Sequence, residues 1–418
     1  MVRFFIFLIQ FSISFASISQ EKISFNLERL VDENLATIRH SFSIPKGNWK
    51  NAYERLNLDS ISFDSTYTIT SEIDYFQTIF QAYNNRKMSK SFFDNQVIKW
   101  GLDTLKLSKQ PIRAYISAVL TFKDGVPNLI IDKNNNGIIK DDKIYPKNSA
   151  IGMHTLLFDR FQNGIVKEDS ATILINNIDY KEKRVLFKYV EKRIGAFNFQ
   201  NKIYNVELEA KLNDYSFDEL FEMTVSSEGQ IIGRYTLNNI IKFGEGLSFQ
   251  ISNISRDGQT IELTRYKKEK QYSPQIGNYL PVFEGTDING KKVGIEDFKG
   301  KYTLVYFWNS SCSASTYSLK ELVKKMMESD YGLSLFSIAL DKRQNIPKEL
   351  IGNDKRTSLI VESATGPINK IFRNKVFPTY YFLNPAGKIL LKSDMGINPV
   401  TFEKDLTSAM ELDRKLNN

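Results

Sequence analysis

Cys312 is the only cysteine in the 418 residues, and it is the strongest nucleophile the chain could deploy. It lies in Phe307-Trp-Asn-Ser-Ser-Cys312-Ser-Ala-Ser315. The continuous apolar run Tyr302–Trp308 precedes it and reads as a buried strand. After it, Leu319, Leu322, Val323 and Met326 recur at helical spacing. A strand running into a helix puts the cysteine at a helix N-terminus, where unpaired backbone N–H groups and the helix dipole favour an anion. A thiolate formed there is a competent nucleophile at neutral pH. With no second cysteine in the chain, any disulfide of Cys312 must be made with another molecule. Ser315 lies one helical turn on, and its hydroxyl is expected to donate a hydrogen bond to the sulfur. A hydroxyl cannot resolve a mixed disulfide, because that step needs a second thiolate.

A different chemistry is suggested by Asp132-Lys-Asn134-Asn-Asn136-Gly137-Ile138-Ile-Lys-Asp141-Asp142. Oxygen-bearing side chains at the first, third and fifth positions, then glycine at the sixth, resemble the start of an EF-hand calcium loop. Asp132, Asn134 and Asn136 would supply side-chain oxygens and Ile138 its carbonyl. The twelfth position is Lys143, so Asp141 or Asp142 would close the shell, with Asp142 the assigned ligand in a shortened loop between strands. The expectation is a structural calcium ion. The competing reading is a plain hairpin, because Asn-Gly alone specifies a tight turn. The only histidines, His40 and His154, are far apart and give no metal spacing.

The elements that must position these groups fall into two regions. From residue 20 to 270 the sequence reads as β-rich, consistent with 20 Tyr and 30 Phe. Alternating runs at Ile112–Phe122, Asn128–Ile131, Arg184–Tyr189, Tyr204–Leu212, Phe221–Val225 and Thr260–Tyr266 are separated by turns such as Lys123-Asp-Gly125 and Ser227-Glu-Gly229. Antiparallel sandwich or barrel packing is the expected outcome. The segment Leu27–Leu58 is expected to be partly helical, and a division into two β units is placed near Gly164. Lys267–Gly277 reads as a polar linker. From 271 to 418, buried strands at Tyr302–Trp308, Leu333–Leu340, Thr379–Leu383 and Lys388–Leu391 alternate with helices at Gly366–Phe372 and Val400–Leu412. That order predicts an α/β domain with a central mixed sheet, so the fold class of the whole is multidomain α+β.

Residues 1–19 have a basic start at Arg3, an apolar run Phe4–Phe15 and small residues at Ala16, Ser17 and Ser19. This order is that of a secretory signal peptide, with a buried helix as the alternative. No stretch reaches the length of a membrane-spanning helix, so no integral membrane segment is expected in the mature chain. The net charge of +8 comes from basic residues spread along the chain. No run reads as a nucleic-acid arm, and no nucleic-acid partner is expected.

Residues 272–418 resemble the TlpA-like, AhpC/TSA-related branch of the thioredoxin superfamily, a group of periplasmic thiol-disulfide oxidoreductases. Four pieces carry the likeness in order: Gly277, Pro281 and Phe283 before the turn Asp287-Ile-Asn-Gly-Lys291; Ile295-Glu-Asp-Phe-Lys-Gly-Lys301; Phe307-Trp308…Cys312…Ser315; and Val376-Phe-Pro378-Thr379 with Asn384-Pro-Ala-Gly387. The resemblance implies a thioredoxin-like fold, a cis-proline loop at Pro378 presenting a backbone edge to substrate, and Cys312 as nucleophile. It also implies that Ser315 replaces the family's second cysteine, and that Ser318 and Lys320 replace an acidic residue and a proline. The peroxidase pattern of related proteins is absent, since Val305 and Asn309 occupy its proline and hydroxyl positions. The implied function is an exported protein, periplasmic or extracellular, with altered or lost redox activity toward protein or small-molecule thiols and disulfides. The alternative is a non-enzymatic envelope protein that binds a partner and uses the thioredoxin fold for docking.

Overall fold

The computed structural model describes residues 21–35, 39–58, 63–100, 102–210, 215–217, 221–243, 247–328, 332–347, 356–363, 366–372, 377–393 and 401–417. The signal-peptide expectation for residues 1–19 lies outside them. The chain divides into two compact units. The first gathers residues up to Ser89 with Leu105–Leu237 and Phe249–Arg265; the second gathers Lys90–Thr104, Asn238–Ser248 and the chain from Tyr266 onward. Three pieces of the region 20–270 expected to be β-rich, Lys90–Thr104, Asn238–Ser248 and residues 266–270, thus belong to the second unit. The segment expected as a linker is packed rather than loose. Ser273 is fully buried and donates to Gln275 Oε1 at 2.6 Å. The same oxygen accepts from the Ile240 N–H at 2.6 Å.

The first unit is built from antiparallel sheets. In one, the strand order is Arg39–Phe42, Arg184–Tyr189, Ile165–Asp179, Gly152–Gln162; in another, Gln230–Tyr235, Phe221–Ser227, Lys202–Ala210, Glu191–Phe199, Glu28–Val31. A third runs Ser65–Glu72, Tyr115–Lys123, Val126–Ile131, Ile144–Pro146. Burial alternates along most of these strands, as expected where one face meets a core. The turn at Asp124-Gly125 has φ of 52° and 71°, the left-handed pair that a two-residue hairpin demands.

Three expectations are corrected here. Gly164 is not a boundary: it is the turn of a hairpin whose arms pair from Gly152↔Ile175 to Gln162↔Ile165 inside the first unit. The segment Leu27–Leu58 holds strands at Glu28–Val31 and Arg39–Phe42, and its helical content among the described residues is the 3-10 turn Gly47–Trp49. Both strands are recruited by distant partners, at Glu191–Ile194 and Lys188–Val185, and such tertiary pairing overrides local propensity. Two helices, Tyr75–Asn84 and Lys90–Trp100, lie in the region read as β. The first starts at Asp74, whose carboxylate accepts from the Gln77 N–H at 2.9 Å, a standard N-cap.

The second unit carries the mixed sheet. Its strands are β1 (Thr303–Trp308), β2 (Ser334–Leu340), β3 (Thr357–Glu362), β4 (Thr379–Leu383) and β5 (Ile389–Ser393), in the order β3-β2-β1-β4-β5. β1, β2 and β3 are parallel; β4 is antiparallel to β1 and to β5. The period-2 alternation of β1 sends Leu304, Tyr306 and Trp308 to one face and Val305 and Phe307 to the other. The first face is covered by α1 (Ser313–Glu328) through Leu319 and Leu322, and by α3 (Phe402–Asn417) through Phe402, Leu406 and Met410. The second meets α2 (Pro367–Phe372) through Ile368 and Phe372. Buried on both faces, β1 is apolar from Leu304 to Trp308, which is why its sequence does not alternate.

His40, in the first unit, is buried against Phe187 and Tyr189. Burial lowers its pKa to about 4. The unfolded imidazole binds a proton near pH 6.5 and the folded one resists it, so stability is present at neutral pH and is lost as pH falls from about 6.5 toward 4. Replacing His40 with Phe keeps the ring contacts without a titrating group. Chemical denaturation at stepped pH should show a shallower acid slope for His40→Phe, by up to about 3 kcal/mol across that window; identical slopes would show that His40 does not titrate in this way.

Candidate active site

β1 and α1 are joined by Asn309-Ser310-Ser311-Cys312, and hydrogen bonds fix that short connection at several points. Asn309 is buried; its side chain donates to the Leu340 carbonyl at the end of β2 and accepts from the Ser311 N–H at 2.9 Å. Asp341 accepts from the Ser310 N–H at 3.0 Å. The Cys312 N–H donates to the Asn309 carbonyl at 3.1 Å, and the Cys312 carbonyl receives the Thr316 N–H at 3.1 Å as the helix begins. Trp308 is fully buried and tied to Ser337 Oγ at 2.8 Å. The loop is held to β2 and its flank from two sides, so the cysteine stands on a rigid base.

Cys312 is partly exposed. Its Sγ lies 3.7 Å from the carbonyl oxygen of Phe377, and the Phe377–Pro378 peptide bond is cis. Sheet register explains how residues 65 apart in sequence meet. β1 and β4 are antiparallel with Phe307 opposite Thr379. The segment leaving β1 therefore emerges beside the segment entering β4, which is Phe377-Pro378.

Ser315 departs from its expected role. Its residue is completely buried and its Oγ has no hydrogen-bond partner, so it does not donate to Cys312. The reason lies in helix periodicity: Ser315, Leu319 and Leu322 share one stripe of α1 and all face the core. The same spacing was visible in the sequence and gave the means to foresee it. Beneath this turn the Tyr306 hydroxyl donates to the Ser315 carbonyl at 3.1 Å. Burial, chiefly, and the nearby Cys312 charge push the Tyr306 pKa up, against a hydrogen bond from Ser318 that lowers it, so Tyr306 stays a neutral donor at ordinary pH. Tyr306, Asn309 and Asp341 were not anticipated as parts of the site. Tyr306 was masked by its place in an apolar run, where it reads as core.

The calcium candidates lie in the first unit, in the connection between the strands Val126–Ile131 and Ile144–Pro146. Asp132 accepts from the N–H groups of Asn136 (3.0 Å) and Gly137 (2.9 Å). Asn134 accepts from Asn136 (3.2 Å), and Asn136 accepts from Ile138 (2.8 Å). Asp142 accepts from the Lys133 N–H at 3.2 Å. Burial raises the pKa of Asp132, and raises that of Asp142 to about 6. Among the described residues no group of three or more His, Cys, Asp or Glu side chains is gathered in metal-holding geometry.

Fold and site together define the C-terminal region as a thioredoxin-like domain. Residues 276–391 match the AhpC/TSA family. Thiol-disulfide oxidoreductase ResA of Bacillus cereus is 26% identical over 136 residues, 32% of this chain and 76% of ResA. Thioredoxin-like protein YneN of Bacillus subtilis is 24% identical over 150 residues, 35% of this chain and 84% of YneN. Among solved structures, the thioredoxin domain of a thiol-disulfide oxidoreductase from Bacteroides vulgatus is 27% identical, covers 33% of this chain and 97% of its own, and has a TM-score of 0.27. The domain is thus related to thiol-disulfide oxidoreductases.

A buried hydroxyl without a partner costs about 1–3 kcal/mol of desolvation. Ser315→Ala removes that group at almost constant shape. Denaturant melts should therefore show Ser315→Ala to be more stable than wild type by about 1 kcal/mol. A destabilised variant would mean that the hydroxyl does make a bond.

Proposed function

We propose that the C-terminal domain exchanges thiols and disulfides with one cysteine. The Cys312 thiolate attacks one sulfur of a substrate disulfide. A new Sγ–S bond forms, the substrate S–S bond breaks, and the other substrate sulfur leaves as a thiolate. Bonds and electrons balance without a further oxidant. The chain has no second thiol to displace the substrate, so the mixed disulfide persists until an external thiol attacks it and returns Cys312 as the leaving thiolate.

The observation that carries this reading is the partly exposed Cys312 sulfur, 3.7 Å from the Phe377 carbonyl and beside the cis Pro378, at the start of a helix. A backbone edge next to a nucleophile is where an extended substrate can align its disulfide. The names of the relatives, thiol-disulfide oxidoreductase among them, support the same chemistry. Ser315 takes the place of a resolving cysteine in this reading, and its buried, unpartnered oxygen marks a position that fits a weakly polar sulfur better than a hydroxyl. Proteins or small molecules carrying thiols or disulfides are the partners. Export to the periplasm or beyond follows from the signal-like residues 1–19. It is compatible with the finding that, among the described residues, no helix is long and apolar enough to cross a membrane.

Turnover separates this reading from a docking module with an inert sulfur. In an insulin-reduction assay with a regenerating thiol, wild type should be at background, and Ser315→Cys should raise the rate by at least ~10-fold, the scale on which a resolving thiolate accelerates release. The double variant Cys312→Ser/Ser315→Cys should fall back to background. A folded Ser315→Cys protein that stays inert would favour docking and would overturn the exchange reading.

A further inference from the structure

We infer that the first unit carries a binding site for a quaternary ammonium ion, formed by the rings of Trp49, Tyr53, Tyr75 and Tyr115 against the carboxylate of Glu72. The site is independent of the Cys312 chemistry. Three separate stretches of chain meet there. Glu72 ends the strand Ser65–Glu72 and lies directly opposite Tyr115, which begins the strand Tyr115–Lys123. Tyr75 opens the helix Tyr75–Asn84. Trp49 closes the 3-10 turn Gly47–Trp49, and Tyr53 follows shortly after it. The Glu54 N–H donates to the Tyr115 hydroxyl at 2.8 Å and ties that segment to the sheet.

The rings stand close together and at angles. Tyr53 and Tyr115 meet edge to face, with centroids 4.9 Å apart and planes at 71°. Trp49 is 5.6 Å from Tyr75 at 44° and 5.9 Å from Tyr53 at 17°. A cluster built only for packing would be withdrawn from water. Trp49, Tyr53, Glu72, Tyr75 and Tyr115 are instead each partly exposed, so a solute can reach them. The carboxylate among them has no cation. Glu72 accepts from the Tyr53 hydroxyl, and among the described residues no lysine or arginine pairs with it. Lys46, Lys50 and Arg55, on the same segment as Trp49, are exposed and do not make this contact. Nearby charges are spent on one another: Asp74 pairs with Arg256, and Arg113 with Asp159 and Glu168. Burial raises the Glu72 pKa, against a lowering by the Tyr53 hydrogen bond, as expected of a carboxylate short of positive charge. Burial and the Glu72 charge push the Tyr53 pKa up, so its hydroxyl stays a neutral donor.

Aromatic faces beside an uncompensated carboxylate suit an organic cation. The face of an aromatic ring, best in Trp, attracts a cation within about 6 Å of its centroid. A primary ammonium is strongly hydrated and must also satisfy three N–H donors. Acceptors here are already engaged: Glu72 receives the Tyr53 hydroxyl, and the Tyr115 oxygen receives the Glu54 N–H. A quaternary ammonium has no N–H to satisfy. Its methyl groups pack on the rings, and its charge answers Glu72 without a hydrogen bond. The ligand class is therefore a choline-type head, borne by a small soluble ion or by a lipid.

The test uses the full chain, titrated with choline chloride by calorimetry against sodium chloride at equal ionic strength. One saturable site per chain is expected. Ethanolamine hydrochloride lacks the methyl groups, and the neutral carbon analogue of choline, with tert-butyl in place of trimethylammonium, keeps the shape without the charge. Each should bind at least ~10-fold more weakly than choline. Glu72→Gln keeps the side-chain shape and removes the charge; Trp49→Leu removes the strongest ring. Each should weaken choline binding ~10-fold. If Glu72→Gln fails to fold, Trp49→Leu, in a partly exposed turn, still carries the test. Sedimentation with phosphatidylcholine vesicles tells the two sources apart: co-sedimentation assigns the lipid headgroup, and its absence assigns the soluble ion. No saturable choline binding in wild type, equal affinity for ethanolamine or for the neutral analogue, or unchanged affinity in a folded variant would each overturn the site.

Discussion

The antiparallel pairing of β1 with β4 is the constraint on which the C-terminal site rests. With Phe307 opposite Thr379, the end of one strand and the start of the other lie side by side. Cys312 and Phe377 are brought within 3.7 Å by that register alone. A slip of one residue would reverse every side chain of β4, driving Tyr381 and Leu383 out of the face they share with Phe307 and Phe372 and into the opposite core that Tyr380 and Phe382 now fill. The cores on both faces of the sheet therefore protect the chemistry at its edge. The ties from Asn309 to β2 and from Ser310 to Asp341 extend the same rigidity to the loop that carries the sulfur.

One orphan polar atom, Ser315 Oγ, bears on the functional reading. Asp74 joins Arg256 at 2.6 Å while capping a helix. Glu191 accepts from the Thr172 N–H and lies within ion-pair distance of Arg29. Where such groups are buried, partners are supplied. Ser315 Oγ lacks one, as do a few other buried side-chain atoms such as Arg160 Nη2 and His154 Nδ1. Position 315 is one where a weakly polar sulfur would be at ease.

Much of the C-terminal domain was legible in the sequence because its signals are local. A run buried on both faces, Thr303–Trp308, cannot be mistaken for a surface segment, and Asp287-Ile-Asn-Gly and Asn384-Pro-Ala-Gly mark their turns by backbone chemistry. Pro378 and Cys312 stood out because each belongs to a residue type with few alternative uses. The direction of the Ser315 side chain was less accessible. It follows from the stripe shared with Leu319 and Leu322, but a hydroxyl three residues from a thiol suggests a bond more readily than it suggests burial. In the first unit the failures were non-local. Glu28–Val31 and Arg39–Phe42 are strands because partners near residues 185–194 pair with them, and nothing within residues 27–58 encodes those partners. The helix Tyr75–Asn84 did carry a readable start, Asp74 followed by Phe76, Ile79 and Phe80, but it was obscured by the surrounding β-rich pattern. The hairpin about Gly164 shows the converse: a strong turn signal marks a reversal of direction and carries no information about where a unit ends.

The central claim is that Cys312 forms a mixed disulfide that nothing within the chain can release. Intact-mass spectrometry of the full-length protein after incubation with oxidised glutathione reads this directly. The account predicts a single glutathione adduct that maps to Cys312, survives removal of the reagent and is discharged by added free thiol. A folded protein whose Cys312 stays unmodified under those conditions would contradict it.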